Sequence, residues 1–169
     1  MAAARGARGT DAKTSAGARV APAAKARQRS NVMPLRRAEV FFYGLFMDEE
    51  LLRAKGLRPE DAELAAVDGL ALRIGQRAAL VPIPGARVHG LVVSLTHSEL
   101  ERLYSEPGVE AYRPQAVLAQ LASGGIIAAL CYNLLQPPSP TERNPEYAAK
   151  LRAVAQKVGL PPEYVASIQ

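Results

Sequence analysis

The chain has 169 residues, enough for one domain and a tail, and a 49% hydrophobic share sufficient for a buried core. Its net charge of +5 is unevenly spread: residues 1–38 carry nine Lys/Arg and one acid, Asp11, so the remainder is mildly acidic. A single cysteine, Cys131, excludes an internal disulfide framework and a cysteine-paired zinc site, and no apolar run approaches the ~20 residues of a membrane span. No secretory core precedes a cleavage site, so a soluble cytoplasmic protein is expected.

Residues 1–38 are rich in Ala, Arg and Gly and almost free of large apolar side chains, so they are expected to be disordered. Three readings compete for them: a basic arm for nucleic acid or an anionic surface, an organellar transit peptide, or an idle tail, with Met33 as the true start. The folded domain is expected over 39–169. "EVFFYGLF" is a buried strand ending at Gly44, and "DEELLRAKGL" a short helix stopped by Gly56. In "AELAAVDGLALRIG" the pair Asp68-Gly69 lies between apolar runs and suggests two strands. "AALVPIPGA" reads as strand then loop, because Pro82 and Pro84 keep it out of a central ladder.

"RVHGLVVSLT" follows as a firm strand, and Thr96 with Glu99 three residues on forms a capping box for the helix carrying Leu100 and Leu103. "YRPQAVLAQLASGGIIAALCYNLL" is two strands joined by a Ser-Gly-Gly turn, with Cys131 a small buried hydrophobe. After the proline-rich "QPPSPTERNP", the longest helix places Ala148, Leu151, Val154, Ala155 and Val158 at helical spacing and stops at Gly159. "PPEYVASI" is a terminal turn or short helix. The sum is an α+β domain: a small, largely antiparallel sheet curled towards a barrel, with flanking helices.

The chemistry-bearing residues are few. Dinucleotide, phosphate-loop and nucleophile-elbow motifs are absent, and His89 and His97 read as a strand side chain and a first-turn helix residue. Two glycine-bearing loops remain. Tyr43-Gly44-Leu45-Phe46 follows a buried strand; its glycine permits close backbone approach, and the amides beyond suit a carboxylate or a developing oxyanion. The same geometry is also that of a plain strand-to-helix turn. In "LYSEPGVEAY", Glu106 is either a general base raised by partial desolvation or a solvated carboxylate at a helix end.

The chain resembles the γ-glutamylcyclotransferase-like, or AIG2-like, proteins over most of 39–169. The resemblance is carried by "VFFYGLF", "RVHGLVVSLTHSELERLYSEPGVEAYRP", "AALCYNL" and "PPSPTERNPEYAAKLRAVAQKVGLPPEYVASI", in that order. It implies a curled mixed sheet with flanking helices around a cavity that needs no metal and no cofactor. It also implies that a Tyr-Gly-Ser/Thr loop sits on a substrate's glutamyl group. A glutamate in a Leu-Asp-x-x-Glu-Gly segment would take a proton from the free α-amine, which attacks the γ-carbonyl, closes 5-oxoproline and expels an amine or amino acid. Nucleophile and electrophile share one molecule, so positioning supplies much of the acceleration.

Two departures stand out. Leu45 replaces the Ser or Thr, keeping only backbone donors. Laying "LYSEPG" on the family segment puts Tyr104 on the Asp and Pro107 on the Glu, with Glu106 one residue early. On a regular helix one position turns a side chain by ~100°, but a residue before proline leaves helical geometry, which can return Glu106 to the cavity. Glu110 is the alternative base, and Tyr112 lines the mouth. The expected ligand is a small γ-glutamyl substrate or a carboxylate; only the tail speaks for nucleic acid, and nothing for a membrane or an oligomeric state. The competing reading is a family member that has lost catalysis and binds a small ligand or a protein partner in the same cavity.

Overall fold

The computed structural model describes residues 35–169; the expectations for the basic tail up to Pro34, with its alternative start at Met33, lie outside the described residues. The sheet is a closed five-stranded barrel in the order β1-β3-β2-β4-β5, built from β1 (Arg37–Phe42), β2 (Glu60–Ile74), β3 (Ala78–Thr96), β4 (Tyr112–Leu121) and β5 (Ile126–Leu134). All pairings are antiparallel except the one that closes the barrel, where Val40 of β1 meets Leu130 of β5 in parallel. The α+β, barrel-like class expected from the sequence is therefore the observed one. β1 opens at Arg37, two residues before the expected boundary; the Arg37 guanidinium holds the Ser94 and Arg58 carbonyls and pairs with Glu60.

The expected break at Asp68-Gly69 is corrected: β2 is one strand of 15 residues. Its register jumps there, with Asp68 facing Arg87 and Leu70 facing Pro82. Residues 83–86 of β3 thus bulge opposite Gly69 alone, and Gly69 and Gly85 supply the positive φ values, +81° and +78°. The prolines turn the chain outward without ending the strand, so β3 runs 19 residues and carries the expected strand-loop-strand as one bulged element.

The helices are α1 (Glu49–Ala54), α2 (His97–Tyr104), α3 (Pro145–Val158) and α4 (Pro162–Ser167). Each long one has a legible start. Thr96 and Glu99 form the capping box of α2, and Asn144 caps α3 through the Tyr147 amide before Pro145. Gly159, at φ +87°, ends α3 in the left-handed conformation. None of the described helices is long and apolar enough to cross a membrane.

The core joins barrel and helices. Val40, Phe41, Phe42 and Tyr43 are all buried in succession, as are Leu91 to Thr96, so these strands are covered on both faces. Leu100, Leu103, Ala148, Leu151 and Ala155 pack against them from the helices. Cys131 is fully buried, and burial pushes its thiol up to about 12. His89 lies against the ring of Tyr164, 4.9 Å between centroids.

At Gly90 β1 crosses β3 so closely that a Cβ would overlap the Phe42 carbonyl oxygen and stand 2.8 Å from the Phe41 ring. Gly90→Ala is expected to destabilise the fold by about 1–3 kcal/mol, because neither backbone nor packed ring can retreat; a urea unfolding curve measures it. An unchanged midpoint would show that β1 has room to move.

Candidate functional site

A cavity of about 300 Å³ opens where the end of β1, the hairpin turn between β2 and β3, the turn after α2 and the first turn of α3 converge. Its walls are mostly aromatic. Tyr104, the last residue of α2, stacks on Tyr132 of β5 at 3.7 Å with planes 5° apart. Phe46 meets the Tyr104 and Phe42 rings edge-on, and Tyr112 stands 6.3 Å from Tyr104.

Polar anchors fix these rings from behind. Asn133 is an inward-facing, buried residue of β5. Its amide accepts the Leu80 N–H at 2.9 Å and donates to the Leu80 carbonyl at 2.9 Å. The Tyr43 hydroxyl donates to the Tyr132 carbonyl at 3.0 Å and to Asn133 Oδ1 at 3.3 Å. The Tyr112 hydroxyl donates to the Ala78 carbonyl. Burial holds the Tyr43, Tyr104 and Tyr112 phenols well above their ordinary range, so these are neutral walls rather than bases near pH 7.

The glycine loop enters from β1. Gly44 leaves the strand and Leu45–Met47 form a single 3-10 turn, with the Met47 N–H donating to the Gly44 carbonyl at 3.0 Å. Gly44 has an ordinary negative φ, −114°, so it is there for space: a Cβ would stand 3.1 Å from the Tyr147 hydroxyl. Burial raises the Tyr147 phenol, opposed by the Leu45 backbone beside it. Tyr43, Gly44, Leu45 and Phe46 all line the cavity.

Among the described residues, three charged ones line it: Lys55, Arg77 and Glu106. α2 ends at Tyr104, Ser105 caps it, and Glu106 falls in the turn before Pro107. Released from the helix, Glu106 faces the cavity, where its Oε2 accepts from the Lys55 ammonium at 2.5 Å. Lys55 itself stands at the C-terminus of α1, 6.0 Å from the centre of the Phe46 ring. Glu110 is placed differently. It is exposed, does not line the cavity, and its carboxylate accepts the Gly108 N–H. Its own and the Gly108 backbone amides hold it below the usual carboxylate range. Tyr112 lines the cavity.

Lys55, Arg77, Tyr104, Tyr132 and Tyr147 were not among the ligand-contacting residues expected from sequence. One signal was available: Tyr147 precedes Leu151, Val154 and Val158 on the apolar stripe of α3, which marks it as inward-facing. Lys55 and Arg77 sit at a helix end and in a hairpin turn, where a cation is ordinary, and carried no signal.

The solved structures similar to this chain share its fold. One described as a γ-glutamyl cyclotransferase superposes with a TM-score of 0.64 at 23% identity, covering 79% of this chain and 89% of that one. An uncharacterised protein from Homo sapiens gives 0.63 at 24% identity, covering 79% and 88%. YkqA from Bacillus subtilis gives 0.64 at 23% identity, covering 78% of this chain and 52% of its own. No curated protein matches the chain. The family model "Gamma-glutamyl cyclotransferase, AIG2-like" matches residues 40–150, which include the Gly44 loop, Lys55, Arg77, Glu106 and the first turn of α3, and the chain belongs to that family.

Proposed function

We propose that the aromatic cavity is the active site of a cytoplasmic, cofactor-independent cyclotransferase acting on a small γ-glutamyl compound, with Glu106 as the base. The observation that carries this reading is that Glu106 is the one carboxylate among the described residues to line the cavity, which it shares with the Gly44 loop. A γ-glutamyl head is a zwitterion, with a free α-ammonium and an α-carboxylate. The Lys55–Glu106 pair offers it a matching cation and anion. On binding the pair opens, the ammonium faces Glu106 and the carboxylate faces Lys55, so no charge is left buried without a partner.

Glu106 then takes a proton from the ammonium. The freed amine attacks the γ-carbonyl, a C–N bond forms, and the oxyanion gathers beside the backbone of the Gly44 loop. Collapse expels the departing nitrogen, which takes the proton back from Glu106 as its C–N bond breaks. Glu106 then removes the second proton from the closed ring's nitrogen and passes it to the free amine, leaving 5-oxoproline and an amine or amino acid in its ammonium form. Packing between aromatic walls holds the chain folded for ring closure, so that the tethered amine reaches the carbonyl ahead of water.

Purified protein with a γ-glutamyl compound is expected to release 5-oxoproline, and Glu106→Gln to lower kcat by about 10²- to 10⁴-fold. Glu110→Gln is expected to leave kcat within about twofold, since that carboxylate lies outside the cavity. Full activity in Glu106→Gln would remove the base from this position. Lys55→Met should raise KM about tenfold or more while changing kcat little, the pattern of a lost ground-state contact.

A second reading has one observation in its favour: Glu106 is already paired with Lys55. A protein that only binds γ-glutamyl compounds or other carboxylates would keep that pair as a docking element. It would bind such compounds without releasing 5-oxoproline.

A further inference from the structure

Arg77 lies in the tight connection between β2 and β3, where the Gly75 N–H donates to the Arg77 carbonyl at 3.1 Å. The proline-rich segment before α3 clamps this turn. Glu142 Oε1 accepts the Gln76 N–H at 2.5 Å, Arg73 donates to the Pro138 carbonyl at 3.4 Å, and a Cβ at Gly75 would overlap Glu142 and Pro138. The turn is therefore held in place, and Arg77 lines the cavity from it beside Ala78 and Tyr112.

The charges in the cavity do not balance. Lys55 and Glu106 neutralise each other, whereas the Arg77 side chain makes no hydrogen bond and no ion pair among the described residues. Glu110 feels the Arg77 charge from outside the cavity, but among the described residues it forms no ion pair with it. A zwitterionic γ-glutamyl head adds one charge of each sign and leaves the excess positive charge untouched. A guanidinium beside an apolar, ring-walled space favours a carboxylate, which it can grip with two parallel N–H donors.

We infer that Arg77 is a specificity-determining residue that reads a carboxylate on the departing half of the substrate. The cavity then takes γ-glutamyl derivatives of amino acids in preference to those of simple amines. The inference rests on the γ-glutamyl reading of the site above and goes further, to the half of the substrate that leaves.

The test uses two compounds that differ only in that carboxylate, γ-glutamyl-alanine and γ-glutamyl-ethylamine. Their ratio of kcat/KM is read from 5-oxoproline release, or, without release, their ratio of Kd from calorimetry. The expected preference for γ-glutamyl-alanine is about 10- to 100-fold. In Arg77→Met it should fall to within about threefold, by loss on γ-glutamyl-alanine alone, and Arg77→Lys should restore part of it. Thermal melts of the variants, expected to match the parent, show that the turn is intact. Equal use of the two compounds, or a preference that survives Arg77→Met, overturns the inference while leaving the cyclotransferase reading standing. A carboxylate preference in binding without any 5-oxoproline release has the opposite meaning: Arg77 reads the ligand, and the catalytic reading falls. Binding of neither compound overturns both.

Discussion

The N-terminal end of β3 has an open edge, and side chains rather than a strand close it. β1 pairs with β3 only from Leu91 to Thr96, so Ala78 to Pro82 have β2 on one side and no strand on the other. Leu80 would be left with a buried N–H and a buried carbonyl. The Asn133 amide takes both, reaching from β5 as a piece of peptide would, and the Tyr112 hydroxyl takes the Ala78 carbonyl two residues earlier. An unsatisfied buried group costs about 1–3 kcal/mol, so losing Asn133 alone would consume much of the stability of a domain this size.

The site hangs on this substitution. Because side chains close the edge, the barrel can part there into a cavity without exposing unpaired backbone. Asn133 also receives the Tyr43 hydroxyl, which fixes the residue immediately before the Gly44 loop. Tyr43 in turn bonds the Tyr132 carbonyl, and the Tyr132 ring is the platform on which Tyr104 stacks. From Tyr104 the chain has only two residues to reach Glu106. Fold stability and placement of the carboxylate are thus one network, running from a barrel edge to an ion pair.

Most of the architecture was legible because it is written in local chemistry. The capping box of Thr96 and Glu99, the Asn144-Pro145 start of α3 and the Gly159 stop all act within a turn of their own helix. The Asp68-Gly69 pair misled because the same residues serve a hairpin turn or a bulge, and the choice between them is made by Pro82 and Arg87, far along the chain. Within the site, the release of Glu106 from helical geometry by Pro107 could be anticipated, since it too is a neighbour effect. The ion pair that meets Glu106 could not. Lys55 is separated from it by 51 residues and Arg77 by a hairpin turn whose position depends on Glu142. The aromatic walls are legible only in part: the sequence puts Tyr43, Phe46 and Tyr112 at the site, but no local pattern adds Tyr104 of α2 and Tyr132 of β5 to the same space.

We propose that this cavity folds a γ-glutamyl chain upon itself, so that its own amine rather than water attacks the γ-carbonyl. The direct measurement is product identity. Purified protein would be incubated with γ-glutamyl-alanine and the products separated and weighed by mass spectrometry. The expected products are 5-oxoproline and alanine in equal amounts, with no free glutamate above the protein-free control. Glutamate in place of 5-oxoproline would contradict it by showing hydrolysis, and intact substrate after prolonged incubation would contradict it by showing no chemistry on that compound at all.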